Sequence, residues 1–541
     1  MPQNFLSCER EQVLLMPPRL RDWLPEDHLA WFVLASVEQL DLAAFYTSYR
    51  ADGHGRAAHD PAMMVALLVY AYSRGQRSSR GIERACVEDV AVRVIAANQV
   101  PDHATIARFR QRHEDAIAEL FSGVLGLCAQ AGMVEVGVIA IDGTKMHANA
   151  SQHATRDYDR IARQILGEAD EVDREEDERH GHKRGDELPP ELATREGRER
   201  WLRGAKRDLD DQRAAEARPI GRSRQERLKE AKRRLEEDLA VECAANAAYE
   251  EYRANGRMKN GRRLGAPPKP YTPPATPAGK INLTDLDSRN VKTRAGWMQG
   301  YNAQAAVTTG QIVIAAEISV NSPDFALLRP VLDAALSELA AVGVTDTPAV
   351  LVADAGYWHQ VQMQQIVDSG IAVLVPPDAG KRQGARPGWD GGRYAFMRRV
   401  LDTKLGGDLY RKRKGMIEPV FGNTKFNRGI DRFARRGRSA CRSEWRLITA
   451  THNLLKLHTH QTRARSRLKR GRAAAEPLPR RAALPHQPAA PLRRRPPNHQ
   501  APRLSATATS RSRRARRAAT ECWPDREGIV ARRVCSRRDR T

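Results

Sequence analysis

Residues 136–151 read VGVIAIDGTKMHANAS. Val136, Val138, Ile139, Ala140 and Ile141 form an apolar, β-branched run, the pattern of a buried strand. The run delivers one carboxylate, Asp142, followed by Gly143. Asp-Gly taken alone is ordinary turn chemistry. An acid where a strand leaves the core is also well placed to hold a metal, and that reading requires partner carboxylates further along the chain.

Two such partners follow. Ala349–Ala353 (AVLVA) is a second apolar run, and it too ends in an acid before a glycine, Asp354-Ala355-Gly356. Between the runs, Tyr301–Thr308 and Ile312–Val320 flank Thr309-Gly310-Gln311 as a hairpin, and Asp324–Val342 has helical periodicity. A short helix, Trp358–Asp368, leads to a further strand at Ile371–Val375. Adjacent parallel strands would bring Asp142 and Asp354 to one edge of one sheet, where open α/β sheets carry their chemistry. Glu418 lies in YRKRKGMIEPVFGNTKFN (Tyr410–Asn427). On a helix Lys414, Arg411 and Lys425 share its face, with Pro419 and Gly422 making that helix irregular. An acid on a basic helix is usually a surface ion pair; after two strand-end aspartates it reads better as a third metal ligand.

Around this frame the chain divides by composition. Residues 1–132 read as helical, with Asp60-Pro61, Ser78-Ser79 and Pro101-Asp102 as helix starts. A single helix from His103 to Gly132 carries Arg108, Arg110 and Arg112 early, a helix-turn-helix-like arrangement that suits a major groove. The alternative is a helical bundle with a solvated basic face. Residues 155–280 form a charged insertion. Its pairs Glu230–Arg234, Lys232–Glu236, Arg233–Glu237 and Arg234–Asp238 support a solvated helix, Leu228, Leu235 and Leu239 form a narrow seam, and a Pro-rich linker (Ala266–Pro277) closes it. Residues 133–154 and 281–460 frame the insertion, the latter ending in a helix over Ser443–Leu457. Residues 461–541 form an Arg/Pro-rich tail without apolar periodicity, expected to be disordered and resembling a GC-rich gene read out of frame.

The tail dominates the charge. It holds 23 Lys and Arg against 5 Asp and Glu, so most of the net +24 and the pI of 10.1 comes from it. No pair of the 7 cysteines has CxxC spacing, which disfavours a zinc site and fits reduced thiols. The start lacks a signal-peptide pattern, and the longest apolar run, Met63–Tyr72, falls short of the ~20 residues of a membrane span. The expectation is a soluble intracellular protein.

Asp, Asp and Glu in this strand order resemble the DDE transposases of bacterial insertion sequences, most nearly the group numbered eleven-eighty-two. The similarity rests on AIDGTKMHANAS (Ala140–Ser151), DSRNVKTRAGWMQGYNAQAAV (Asp287–Val307), VLVADAGYW (Val350–Trp358) and Tyr410–Lys425. It implies an α/β fold: an RNase H-like mixed sheet with a helical insertion after its first strand, behind an all-α N-terminal domain. One departure stands out. The family's signature around its glutamate is Tyr, two residues, Arg, three residues, Glu, six residues, Lys. Here four residues separate Arg413 from Glu418, and Lys414 takes the expected distance.

The resemblance implies that Asp142 bridges two Mg²⁺ ions, with Mn²⁺ as a substitute, while Asp354 and Glu418 hold one each. Hard carboxylate ligands suit Mg²⁺, and two such ions clamp the attacking and leaving oxygens of an in-line displacement. The partners implied are double-stranded DNA, as terminal inverted repeats and target, and a second copy of the chain. Lys425 and either Lys414 or Arg413, with Tyr410, are expected at phosphates near the cut; the alternative is a solvated basic face. Lys145, with His147, steadies DNA or supports the ligands, and Arg289, Lys292 and Arg294 form a basic stretch. Trp297 and Trp358 either stack on a flipped base or belong to the core. Alternatives are a structure-selective RNase H-like nuclease, a catalytically inactive DNA-binding derivative, and a tyrosine recombinase using Tyr410.

Overall fold

The computed structural model describes residues 19–49, 58–180, 223–255, 258–259, 262–263, 269–293, 296–377 and 392–475. Arg294, most of the tail and the middle of the insertion lie outside the described residues.

The N-terminal region is helical where its caps predict. After α1 (Leu29–Val37), Asp60 accepts from Ala62 N and, with Pro61 at the first position, starts α2 (Pro61–Ser73), which is buried along almost its whole length. Ser78 starts α3 (Ser79–Glu88), Asp89 starts α4 (Val90–Ile95) and Asp102 starts α5 (His103–Arg112). The expected single helix from His103 is broken. His113 turns out of helical geometry, and α6 (Glu114–Gln130) starts with two acids in its first turn. The His113 ring packs among Phe45, Tyr49 and Phe109 at centroid distances of 5.2, 5.7 and 4.5 Å, and that packing holds the break.

The sheet begins with β1 (Val138–His147). Next come the short β2 (Thr155–Asp157) and the insertion helices α7 (Tyr158–His180) and α8 (Arg224–Asn255). The chain returns through β3 (Lys280–Asn282), whose antiparallel pairing with β2 closes the base of the insertion. Leu228, Ala231 and Leu235 of α8 bury against Ile161 of α7 and Ile281. Glu230–Arg234 (2.7 Å), Lys232–Glu236 (3.1 Å) and Arg233–Glu237 pair as expected. Arg234 does not turn to Asp238. It reaches Asp287 at 2.6 Å, because that acid lies where the chain re-enters the sheet and offers a tie between the insertion and the core.

Strands β4 (Arg289–Thr293), β5 (Gly296–Thr308) and β6 (Val313–Ser319) follow. Then come α9 (Leu328–Ala341), β7 (Val350–Ala353), α10 (Gln360–Asp368) and β8 (Ala372–Leu374). The order across the sheet is β8-β7-β1-β5-β4, with β6 also on β5. β1 runs parallel to β7 and antiparallel to β5. Residues 298–308 of β5 are all buried, as a central strand covered on both faces requires. Helices α11 (Gly392–Asp402), α12 (Lys404–Gly422) and α13 (Arg438–Ala475) are the last of the described elements.

α13 corrects the expected boundary of the tail. The helix does not stop near Leu457 but runs to Ala475, well into the segment expected to be disordered. Its first half is anchored by buried Trp445, Leu447, Ile448, Leu454 and Leu457. Once begun, a helix propagates cheaply through the Arg-, Ala- and Leu-containing sequence that follows.

The N-terminal helices and the sheet share one buried cluster, and buried arginines join them. Arg446, 1% exposed, bonds to Ala118 O and pairs with Glu338 at 2.6 Å. Arg428 donates to Tyr72 O and Ile448 O. Among the described residues no helix is long and apolar enough to cross a membrane.

Candidate functional site

The parallel register builds the site. The last β1–β7 pair is Ile141↔Ala353, so Asp142 and Asp354 are the next residue on each strand. Neighbouring strands lie about 4.8 Å apart, which makes the two carboxylates neighbours. The strand-end position holds for Asp354, which leaves β7 and caps the turn Ala355–Tyr357 through Gly356 N at 2.8 Å. It does not hold for Asp142. β1 continues without a turn through His147↔Gly300, because β5 supplies an antiparallel partner for each residue past Asp142.

Asp142 Oδ1 accepts from Gly143 N at 2.8 Å, and Oδ2 accepts from Arg413 Nη1 of α12 at 2.6 Å. Burial pushes the Asp142 carboxyl up to about 6; Arg413 opposes that shift, and Asp354 and Asp324 add to it. Asp354 is likewise raised, first by burial and then by Asp324, with its Gly356 hydrogen bond opposing. Two half-buried carboxylates that repel each other are a site that favours a cation. The donor chemistry fits a hard divalent ion. Among the described residues no three His, Cys, Asp or Glu side chains form a metal-holding group by themselves.

Glu418 sits elsewhere on α12. It is exposed, and it is not among the leading charges acting on Asp142 or Asp354. It lies five residues beyond Arg413, about 7.5 Å along the axis and well round the helix from it. Arg413, at the irregular position of the Tyr–Arg–Glu–Lys spacing, is the α12 residue placed on Asp142.

The other expected cations fall into distinct settings. Lys425 bonds inward, Nζ to Lys145 O at 2.7 Å, from a π-helical turn over Asn423–Asn427. Lys145 also points inward, to Ser322 O at 2.5 Å and Asp324 at 3.3 Å. Lys414 and Lys292 are exposed. The Arg413 guanidinium lies 5.9 Å from the Tyr410 ring centre, and burial raises the Tyr410 phenol. Arg289 is spent on Leu286 O and Ser288 O. His147 is held by backbone bonds to Asp431 and Phe433, and burial lowers its ring. Trp297 is 59% exposed, whereas Trp358 stacks on Tyr394 at 4.8 Å.

On α5, Arg108 and Arg112 are exposed. Arg110, expected to face DNA, is buried: it bonds Tyr72 Oη at 3.1 Å, Arg77 O at 2.8 Å and Ser79 Oγ, fastening α5 to α2 and α3. Its helical phase turns it inward beside Ile106 and Phe109.

Sequence pattern alone does not single out four residues of the site: Asp324, Asn302, Gln304 and Tyr357. Asp324 Oδ1 accepts from Asn302 Nδ2 at 2.8 Å and Gln304 Nε2 at 3.0 Å, and Gln304 Oε1 accepts from the buried Tyr357 hydroxyl. A signal does exist in YNAQAAV (Tyr301–Val307). Asn302 and Gln304 are two polar residues at strand period on one face of an otherwise apolar strand.

Residues 18–112 match the model of a transposase domain (DUF772), and residues 278–454 match that of a transposase DDE domain. The second match covers Asp324, Asp354, Arg413 and Glu418; Asp142 lies before it, on the other side of the insertion. No curated protein and no solved structure matches the chain. With one transposase domain over its N-terminal helices and a DDE domain carrying half of the sheet-edge carboxylate pair, the chain belongs to the DDE transposases of insertion sequences.

Proposed function

We propose that this transposase cuts and rejoins DNA at a site formed by Asp142, Asp354 and Glu418, on an RNase H-like sheet. The observation that carries the reading is the register Ile141↔Ala353, which makes neighbours of two acids 212 residues apart. The strand order and the antiparallel β5 beside β1 support it.

Asp142 and Asp354 would hold Mg²⁺, or Mn²⁺ in its place, and Glu418, exposed on α12, is the proposed third ligand. Two such ions bound there would stabilise the oxygens on which charge builds during phosphodiester cleavage. The rest is work for the chain's own groups. Asp142, raised to about 6, is largely ionised at neutral pH and ready for a cation, and Arg413 keeps it from rising further. Exposed Lys414 and Lys292 offer phosphate contacts, with Tyr410, Lys425, Lys145 and Arg289 shaping the surface between. Arg108 and Arg112 of α5 contact the terminal inverted repeats. Water attacks the phosphorus at the element's end and releases a 3′-hydroxyl. That hydroxyl then attacks a target phosphodiester, and the displaced target 3′ oxygen leaves with a proton. Cutting two ends together calls for at least two copies of the chain on DNA.

The test is single-turnover cleavage of a duplex carrying the repeats that bracket the gene. Asp142→Asn and Asp354→Asn should each lower the rate about 1000-fold or more, the scale of losing a charge-stabilising group, while binding the duplex as tightly as the wild type. Cleavage at the wild-type rate by either variant defeats the proposal.

A further inference from the structure

Each acid of the pair is followed closely by a glycine, Gly143 after Asp142 and Gly356 after Asp354. One carboxylate lies against both. A methyl group added at Gly143 would come within 2.7 Å of Asp324 Oδ1, and one added at Gly356 within 3.6 Å of Asp324 Oδ2. Asp324 therefore spans the two segments that carry Asp142 and Asp354, one oxygen towards each.

It does so from behind. Gly143 and Lys145 lie opposite Gln304 and Asn302 in the register, whereas Asp142 lies opposite Ala305, so the Asp324 contacts are on the face of β1 away from Asp142. There Oδ1 accepts from Asn302 Nδ2, Gln304 Nε2 and, at 3.3 Å, Lys145 Nζ. Gln304 in turn holds Tyr357, in the turn capped by Asp354. The loop bearing Asp324 is itself clamped. Ala326 is held at φ +66°, and its carbonyl accepts from Gln362 Nε2 of α10 at 2.8 Å. Asn302 is fully buried, its Oδ1 has no hydrogen-bond partner, and the same methyl at Gly143 would meet it at 2.6 Å. The three donors that converge on Asp324 Oδ1, rather than that acceptor, fix its charge.

We propose that Asp324 is a positioning residue that sets the spacing of Asp142 and Asp354 by bracing Gly143 and Gly356, with Lys145 as its counter-charge. It acts through these neighbours and holds no metal. The proposal rests on the reading of Asp142 and Asp354 as the catalytic pair.

The test compares Asp324→Ala, Asp324→Asn, Lys145→Met, the Asp324→Ala/Lys145→Met double variant and Asp142→Asn in single-turnover cleavage of the repeat duplex. Duplex affinity, melting temperature and the Mg²⁺ midpoint of the thermal shift are measured alongside. Asp324→Ala should cleave about 100-fold more slowly, the scale of a displacement near 1 Å in an active site. Its duplex affinity and Mg²⁺ midpoint should stay within about threefold of wild type. Asp324→Asn, which keeps an acceptor for Asn302 and Gln304, should fall between. The double variant should be no slower than Asp324→Ala, since the partners act as a unit. Wild-type rates for Asp324→Ala overturn the proposal, as do effects that multiply in the double variant or an Mg²⁺ midpoint moved more than about tenfold. If Asp324→Ala melts below the assay temperature, Asp324→Asn decides, and a wild-type rate there overturns the proposal. Cleavage by Asp142→Asn would instead remove the reading beneath it.

Discussion

The two halves of the candidate site are held in different ways. The sheet half, Asp142 and Asp354, is fixed by backbone pairing: one register error would turn either side chain to the other face, and β1 is locked on one side by β5 and on the other by β7. The helix half rides on α12, which packs on the sheet through buried Met416, Ile417 and Val420, reaches Asp142 with Arg413, and leaves Glu418 exposed. Pairing on both sides fixes where a strand places an acid, whereas a helix delivers one only in the rotational phase its packing allows. Here that phase puts a guanidinium, not a carboxylate, on Asp142.

The sharpest way to break this contrast is Glu418→Gln. If α12 carries a true third ligand, cleavage should fall by more than about 100-fold, beyond what loss of an outer supporting group costs, with duplex binding retained. A rate within about threefold of wild type would mean that the sheet half works without Glu418. Single-turnover cleavage at saturating Mg²⁺ decides between them.

The same contrast explains what is legible in the sequence. VGVIAID and AVLVAD announce their strands and acids through plain apolar runs, so the sheet half can be read from local pattern. The caps at Asp60, Ser78 and Asp102 and the charge pairs of α8 are equally local. Gly143 misleads, because Asp-Gly looks like a turn when the partner strand that carries β1 onward lies more than 150 residues away. Asp324 is hidden for a related reason. NSPDF (Asn321–Phe325) reads as a loop before a helix, and its meaning comes from Gly143, Gly356 and Lys145, none of which is near it in sequence. The orientation of Arg413 depends on how α12 packs, which no spacing rule supplies.

A second measurement weighs the electrostatic cost of the sheet half. Asp142 is raised from an ordinary carboxylate value near 3.8 to about 6. A raised carboxylate binds its proton more tightly when folded, so its ionisation opposes folding. The cost is absent below about pH 4, grows between 4 and 6, and is complete above 6. At 1.36 kcal/mol per unit it is about 3 kcal/mol, with the attraction to Arg413 already included. Metal-free Asp142→Asn should therefore be more stable than wild type by up to about 3 kcal/mol at pH 8 in urea unfolding, and no more stable at pH 4. Equal stability at pH 8 would show that Arg413 fully offsets the burial of this acid.

The smallest effect carries the contrast into the N-terminal helices, where rotational phase gives arginines of one helix different work. Arg110 is buried on α2 and α3, whereas Arg108 and Arg112 face outward on the same helix. Arg110→Met should lower stability by about 1–3 kcal/mol, because it strips a buried partner from Tyr72 Oη and Arg77 O, and should leave the salt dependence of DNA binding unchanged. Arg108→Ala and Arg112→Ala should leave the melting temperature alone, and each should weaken binding while reducing the slope of log affinity against log salt by about 1. A flat response from both exposed arginines would take α5 out of the DNA interface, since a cation that meets a phosphate must release counterions when the duplex binds.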